Sequence, residues 1–283
     1  MKGTIQVNSM KSKRTIVYVA GFLFSIPLAL TSYINSSFLQ VYIQASYVGI
    51  VYIIAALITI LGLFEMPHIL TRLGARQTTL FFSMLALFAA VMMSQGNAAL
   101  IVIPAFILYF VSCSCIIATL DIFIEDFSKD TSVGKLRGLY LVVTNGAWVC
   151  AQLISGRVIA RSSFGGIYFI ASVFLGLLCF TFIFFMRGFK DPHYVKIPIG
   201  KTIKAFLKNK HLSRIYIINL ILKFFFAWMI IYTPIYLHEY IGFGWSQIGI
   251  IFTIMLLPFV ILEFPLGKLS DKSARKKCCW LDF

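Results

Sequence analysis

The chain has 283 residues, of which 60% are hydrophobic and only 12% charged, with a mean hydropathy of +0.90. A soluble domain is about 45–50% apolar and about 25% charged, so this composition excludes an ordinary water-soluble fold. The net charge of +15 does not point to nucleic acid, because lysine and arginine sit in short stretches between apolar runs and form no basic face with interleaved aromatics.

Residues 1–14 are basic, with Lys2, Lys11, Lys13 and Arg14. The apolar run after them is too long for a signal-peptide core and lacks a cleavage site, so it reads as a first membrane span. A spanning helix needs about 20 apolar residues. Eight segments meet that requirement: 15–38, 46–65, 78–95, 99–122, 138–160, 166–187, 214–237 and 246–265. Pro27, Pro104, Pro234 and Pro258 fall inside spans and predict bends that neighbouring helices accommodate. Cys113, Cys115, Cys150 and Cys179 also lie inside spans, where a thiol packs as a small hydrophobe. Cys113 and Cys115, two residues apart, point to different faces of a helix, so no metal or cofactor is expected.

Positive charge follows the spans with a period of two. Arg72 and Arg76 follow span 2, and Lys129, Lys135 and Arg137 follow span 4. Eight lysines and arginines from Arg187 to Arg214 follow span 6, while the loops after spans 1, 3 and 7 have none. Arg157 and Arg161, after span 5, are the exception. This bias predicts a cytoplasmic N-terminus in a multi-pass protein of the plasma membrane. It also divides the chain: spans 1–6 over residues 1–187, a basic linker over 188–213, and the last two spans over 214–283. Ile203, Phe206 and Leu207 give the linker an apolar stripe that fits an amphipathic helix on the inner leaflet.

Segments 46–77 and 246–277 share one layout: a helix start, a span, then a short basic turn. Identity is faint, with six matches at positions 46, 49, 50, 54, 57 and 64, each paired with the residue 200 further on. The order of features carries the relationship, which implies two related halves. In the second copy the turn contains Gly267, Leu269, Ser270, Asp271, Lys272, Arg275 and Lys276. The first copy keeps Arg72, Gly74 and Arg76, with Pro67 and Thr71 where the second has Gly267 and Asp271.

Those residues, with the span count and the central basic linker, resemble the major facilitator superfamily, whose signature between helices 2 and 3 reads roughly Gly-x-Leu-Ala-Asp-Arg-x-Gly-Arg-Lys and recurs between helices 8 and 9. The resemblance implies an all-α polytopic membrane protein with a six-helix N-terminal half and the first two helices of a C-terminal half. It implies secondary active transport of a small solute by alternating access, with the substrate near the bilayer midplane between the halves. Gly267, Asp271, Lys272, Arg275, Arg72, Gly74 and Arg76 become gating residues: the glycine permits a sharp turn and the acid caps the next helix and attracts a basic neighbour. Thr71 preserves the capping role without the charge. Family members usually have twelve spans, so the chain is expected to be a truncated copy ending after helix 8.

Within this frame Lys223 is the leading translocation residue. It lies nine residues beyond Arg214, about 13 Å along a helix, and a charge at that depth is costly enough to imply function. Asn35, Asn145 and Gln152 are polar positions within spans, suited to joining helices or lining a pathway, and Trp228 is placed to stack on a substrate. Asp121, Glu125, Asp126 and Arg137 are candidates for ion pairs on the cytoplasmic side. The expected partners are the lipid bilayer and a small-molecule substrate, with no nucleic acid. The competing readings are a non-functional or scaffold-like truncated protein and a polytopic membrane enzyme. The scattered histidines at 68, 193, 211 and 238 count against the enzyme.

Overall fold

Inside a bilayer no water is available to satisfy an open N–H or C=O, so an apolar run that crosses it must close its own hydrogen bonds. The computed structural model follows that rule, and every secondary-structure element among the described residues is helical. The structure describes residues 2–127, 133–161, 163–187, 191, 194, 200 and 208–278, with the side chains of 2–14, 127, 133–137, 259, 263–264 and 266–278 outside the description. The elements are α1 (Lys2–Ser32), α2 (Asn35–Gln40), α3 (Ala45–Gln95), α4 (Ala99–Phe127), α5 (Val133–Arg161), α6 (Phe164–Phe184), α7 (Lys210–Ile235), a π-helical turn at Tyr236–Tyr240, and α8 (Trp245–Cys278).

Seven of these stretches are long and apolar enough to cross a membrane. One of them, α3, has 51 residues; an unbroken helix of that length would be about 76 Å long, more than twice the ~30 Å hydrocarbon core. It breaks at Gly74, where φ is 76° and ψ 163°. That conformation is open to glycine and strained for other residues. The two sections of α3 therefore carry spans 2 and 3, and all eight expected spans are present.

The boundaries differ from expectation in three places. Span 1 stops at Ser32, because the hydroxyls of Thr31 and Ser32 donate to the carbonyls of Pro27 (3.0 Å) and Leu28 (2.6 Å) and a turn leads into α2. The turn expected across 66–77 is helical on both sides of the single break at Gly74. The second basic turn is absent as a break: α8 runs helically through 267–277 to Cys278.

A first core joins α1, α3, α4 and α6 through Phe24, Phe106, Tyr109, Ile116, Tyr168 and Phe182. A second joins α1, α5 and α6 through Leu30, Ala147, Ala151 and Ile167. The last segment docks through a third, in which Tyr33 stacks on Phe252 with ring centroids 4.0 Å apart, beside Trp148 and Ile248. The closest helix crossing is that of α5 and α8. A Cβ on Gly249 would lie 2.7 Å from the Gln152 carbonyl and 3.4 Å from the Cα of Gly156, and a Cβ on Gly156 would run into the backbone at Trp245 and Ser246. Gly146 on the same helix has open space around it, so of these two glycines it is Gly156 that permits the close packing.

Replacing Gly249 by leucine should separate α5 from α8 and cost about 1–3 kcal/mol, the usual penalty for overpacking. Thermal unfolding in detergent would show this as an earlier transition, with Gly146→Ala close to wild type as the control.

Candidate functional site

A cavity of about 490 Å³ lies between α1–α4 and α7. Thr31, Ser32 and Asn35 line it from α1 and α2, Tyr52 from α3, Tyr109, Phe110, Cys113 and Ser114 from α4, and Lys223, Phe226 and Ile230 from α7. Lys223 comes thirteen residues after Lys210 and twelve before Ile235, in the middle of α7. Among the described residues of the lining it is the one charged side chain.

The polar groups of this cavity divide into spent and available. The Tyr109 hydroxyl lies 3.2 Å from both the Pro27 carbonyl and the Thr31 hydroxyl, closing a buried cluster beside Pro27 of α1. Ser114 donates to the Phe110 carbonyl of its own helix at 2.9 Å. Tyr168 donates to Asn35 Oδ1 at 2.6 Å, which fixes the amide. Tyr52 differs from these: its hydroxyl is buried and has no hydrogen-bond partner among the described residues. Desolvating a hydroxyl without a partner costs about 1–3 kcal/mol.

Lys223 and Asn35 thus meet in one cavity. Gln152 does not join them: its Nε2 donates to the Ala29 carbonyl at 2.8 Å and ties α5 to α1. Asn145 is half-buried on α5 and is not part of that lining. Trp228 is 54% exposed and lines a separate cavity, with Gln40, Tyr232, Tyr236, Glu239 and Tyr240. Tyr52, Tyr109 and Tyr168 carry no signal that separates them from other aromatic residues of a span, and only the fold brings them together.

The gating residues of the first copy sit around the break in α3. Thr71 is no cap: its hydroxyl donates to the His68 carbonyl one turn back, at 2.8 Å. The cap comes from far along the chain, where Asp191 Oδ1 accepts the Ala75 N–H at 2.6 Å. A Cβ on Gly74 would collide with this carboxylate, so the glycine serves both the turn and the cap. Tyr194 donates to the same oxygen at 3.1 Å. Burial, and then the Asp191 charge, pushes its phenol well above the ordinary range, so it stays a donor at neutral pH. Arg76 donates through Nε and Nη2 to the carbonyls of Phe182 (3.1 Å) and Ile183 (3.2 Å), satisfying the end of α6.

Arg72 and Glu125 are exposed, and Asp121 and Asp126 each make polar or electrostatic contacts. The side chains of Arg137, Asp271, Lys272 and Arg275 lie outside the described residues, as does the stripe Ile203, Phe206 and Leu207; Gly267 lies on α8 without interrupting it. No sequence signal points to Asp191, because 116 residues separate it from Ala75 and no local spacing links them.

The sequence model of the Major Facilitator Superfamily matches residues 16–281. The chain belongs to the Major Facilitator Superfamily. Its relatives are membrane transporters, and the superfamily match together with the apolar helices makes this chain a multi-pass membrane protein. No curated protein matches the sequence.

Asp191→Ala should uncap the second section of α3 at a cost of about 0.5–2 kcal/mol. Hydrogen exchange at the Ala75 amide is then expected to quicken by about 2- to 30-fold. An unchanged rate would mean that another group holds the break.

Proposed function

We propose that this chain moves a small solute across the plasma membrane by alternating access, through the cavity between α1–α4 and α7. The carrying observation is that cavity: about 490 Å³, within the ~300–1,000 Å³ usual for small-ligand sites, and holding a lysine in the middle of a spanning helix. In this reading residues 1–187 form one half, 214–283 belong to the other, and 188–213 join them with the N-terminus in the cytoplasm. Lys223 and Asn35 contact the substrate. Gln152 and the Gly156–Gly249 crossing keep the halves packed while they rock. The break at Gly74, held by Asp191 and Arg76, and the basic stretch at Gly267, Asp271, Lys272 and Arg275 act at the cytoplasmic ends. Lipid and a small solute are the partners, and no enzymatic step is involved.

The test is uptake into proteoliposomes that contain the full chain, screened with labelled carboxylates, sugars, amino acids and nucleosides. Saturable uptake of at least one solute is expected, falling about tenfold or more in Lys223→Gln, since losing a charged hydrogen bond to the substrate costs about 1.5–3 kcal/mol. Trp228→Phe should change it by less than about twofold, because that site lies in another cavity. A well-folded chain that moves nothing would remove this proposal and leave a scaffold-like protein.

A further inference from the structure

We infer that the solute held in the central cavity is an organic anion with an apolar body. This rests on reading that cavity as the substrate site, and it concerns what the site selects.

Charge decides the head group. Among the described lining residues Lys223 is the only lysine, arginine or histidine, and none of them carries a carboxylate. A cationic solute would meet one like charge and no counter-charge. An anion would supply the counter-charge that the ammonium lacks among the described lining residues.

Hydrogen bonding points the same way. Thr31, Ser32 and Ser114 have given their hydroxyl protons to carbonyls of their own helices. The donors still available are the Lys223 ammonium, the Tyr52 hydroxyl, which is 9% exposed and unpartnered, and the Asn35 amide nitrogen, whose oxygen is held by Tyr168. Three unspent donors suit a group made of acceptors, such as a carboxylate or a phosphomonoester. The rest of the wall, including Phe110, Phe226, Ile117 and Ile230, is apolar and suits a hydrocarbon or aromatic body better than a sugar.

The experiment measures binding to the full chain in nanodiscs, by calorimetry and thermal shift. The probes are matched series on phenyl, naphthyl and hexyl bodies, each with a carboxylate, phosphate, hydroxymethyl or ammonium head. On at least one body the carboxylate or phosphate should bind about tenfold or more tightly than the matched alcohol, with the ammonium weakest. Whichever anionic head leads identifies the chemistry. Lys223→Gln should reduce that preference to about twofold or less, Lys223→Arg should restore most of it, and Tyr52→Phe should weaken the anion several-fold while sparing the alcohol. The inference is overturned if alcohols or ammonium compounds match the anions, if no anion binds, or if Lys223→Gln keeps the preference. The wild-type series alone decides the matter should that variant not fold. Anion selectivity without flux would remove the transport proposal and leave this one. Flux of a neutral solute indifferent to Lys223 would do the reverse.

Discussion

The contact between Gly156 and Gly249 is the constraint on which the relation between the two parts of the chain depends. In a bilayer, helices gain little from hydrophobicity when they associate, so close backbone packing carries much of the attraction. At this crossing α5 and α8 meet with no side chain between them, and Tyr33, Trp148, Ile248 and Phe252 close around it. α7 has no comparable anchor, since its spanning window is unburied within the chain. Its place opposite α1 and α4, and hence the cavity itself, follows from the seating of its neighbour α8. Gly49, the counterpart of Gly249 in the first copy, lies against α7: a Cβ on it would come within 3.2 Å of the Tyr232 hydroxyl. The two glycines shared by the repeats thus both mark contacts between the parts.

The central cavity shows how polar atoms are rationed in an apolar protein. The hydroxyls near Pro27 are satisfied by their own helix or by each other, as with Thr31, Ser32 and Tyr109. Lys223 and Tyr52 lie outside that arrangement, and their unmet interactions are concentrated on one wall-lined space. An unmet polar group destabilises the empty protein, and a ligand that satisfies it recovers that free energy as affinity.

Much of this was legible in the sequence because the bilayer simplifies the problem. Spans must be long and apolar, so the apolar runs marked the helices in advance, and Lys223 falls in the middle of α7 as its sequence position implied. The boundaries were less legible. The basic stretches after spans 2 and 8 read alike, yet one breaks and the other stays helical. What separates them is Gly74 with the carboxylate of Asp191, a partner that sequence distance concealed. Thr71 was misassigned for the same reason: a residue suited to capping was available locally, while the fold supplied a charged one from beyond α6. Gln152 reads from the sequence as one more buried amide, and only its bond to the Ala29 carbonyl separates it from Asn35 at the cavity.

The bond from Asp191 to Ala75 also sets the length of a leash. Counted along the sequence, the connection between the parts starts after Arg187. With Asp191 fastened to the start of the second section of α3, and Tyr194 bonded to Asp191, the connection to α7 is counted from residue 194. It ends at Asn209, whose side chain caps α7 through the amides of His211 and Leu212. Fifteen residues of chain reach at most about 50 Å, against about 75 Å for the twenty-two from Arg187. The tether that limits how far α7 can travel from α3 is therefore a third shorter than the covalent chain allows, and a single carboxylate controls the difference.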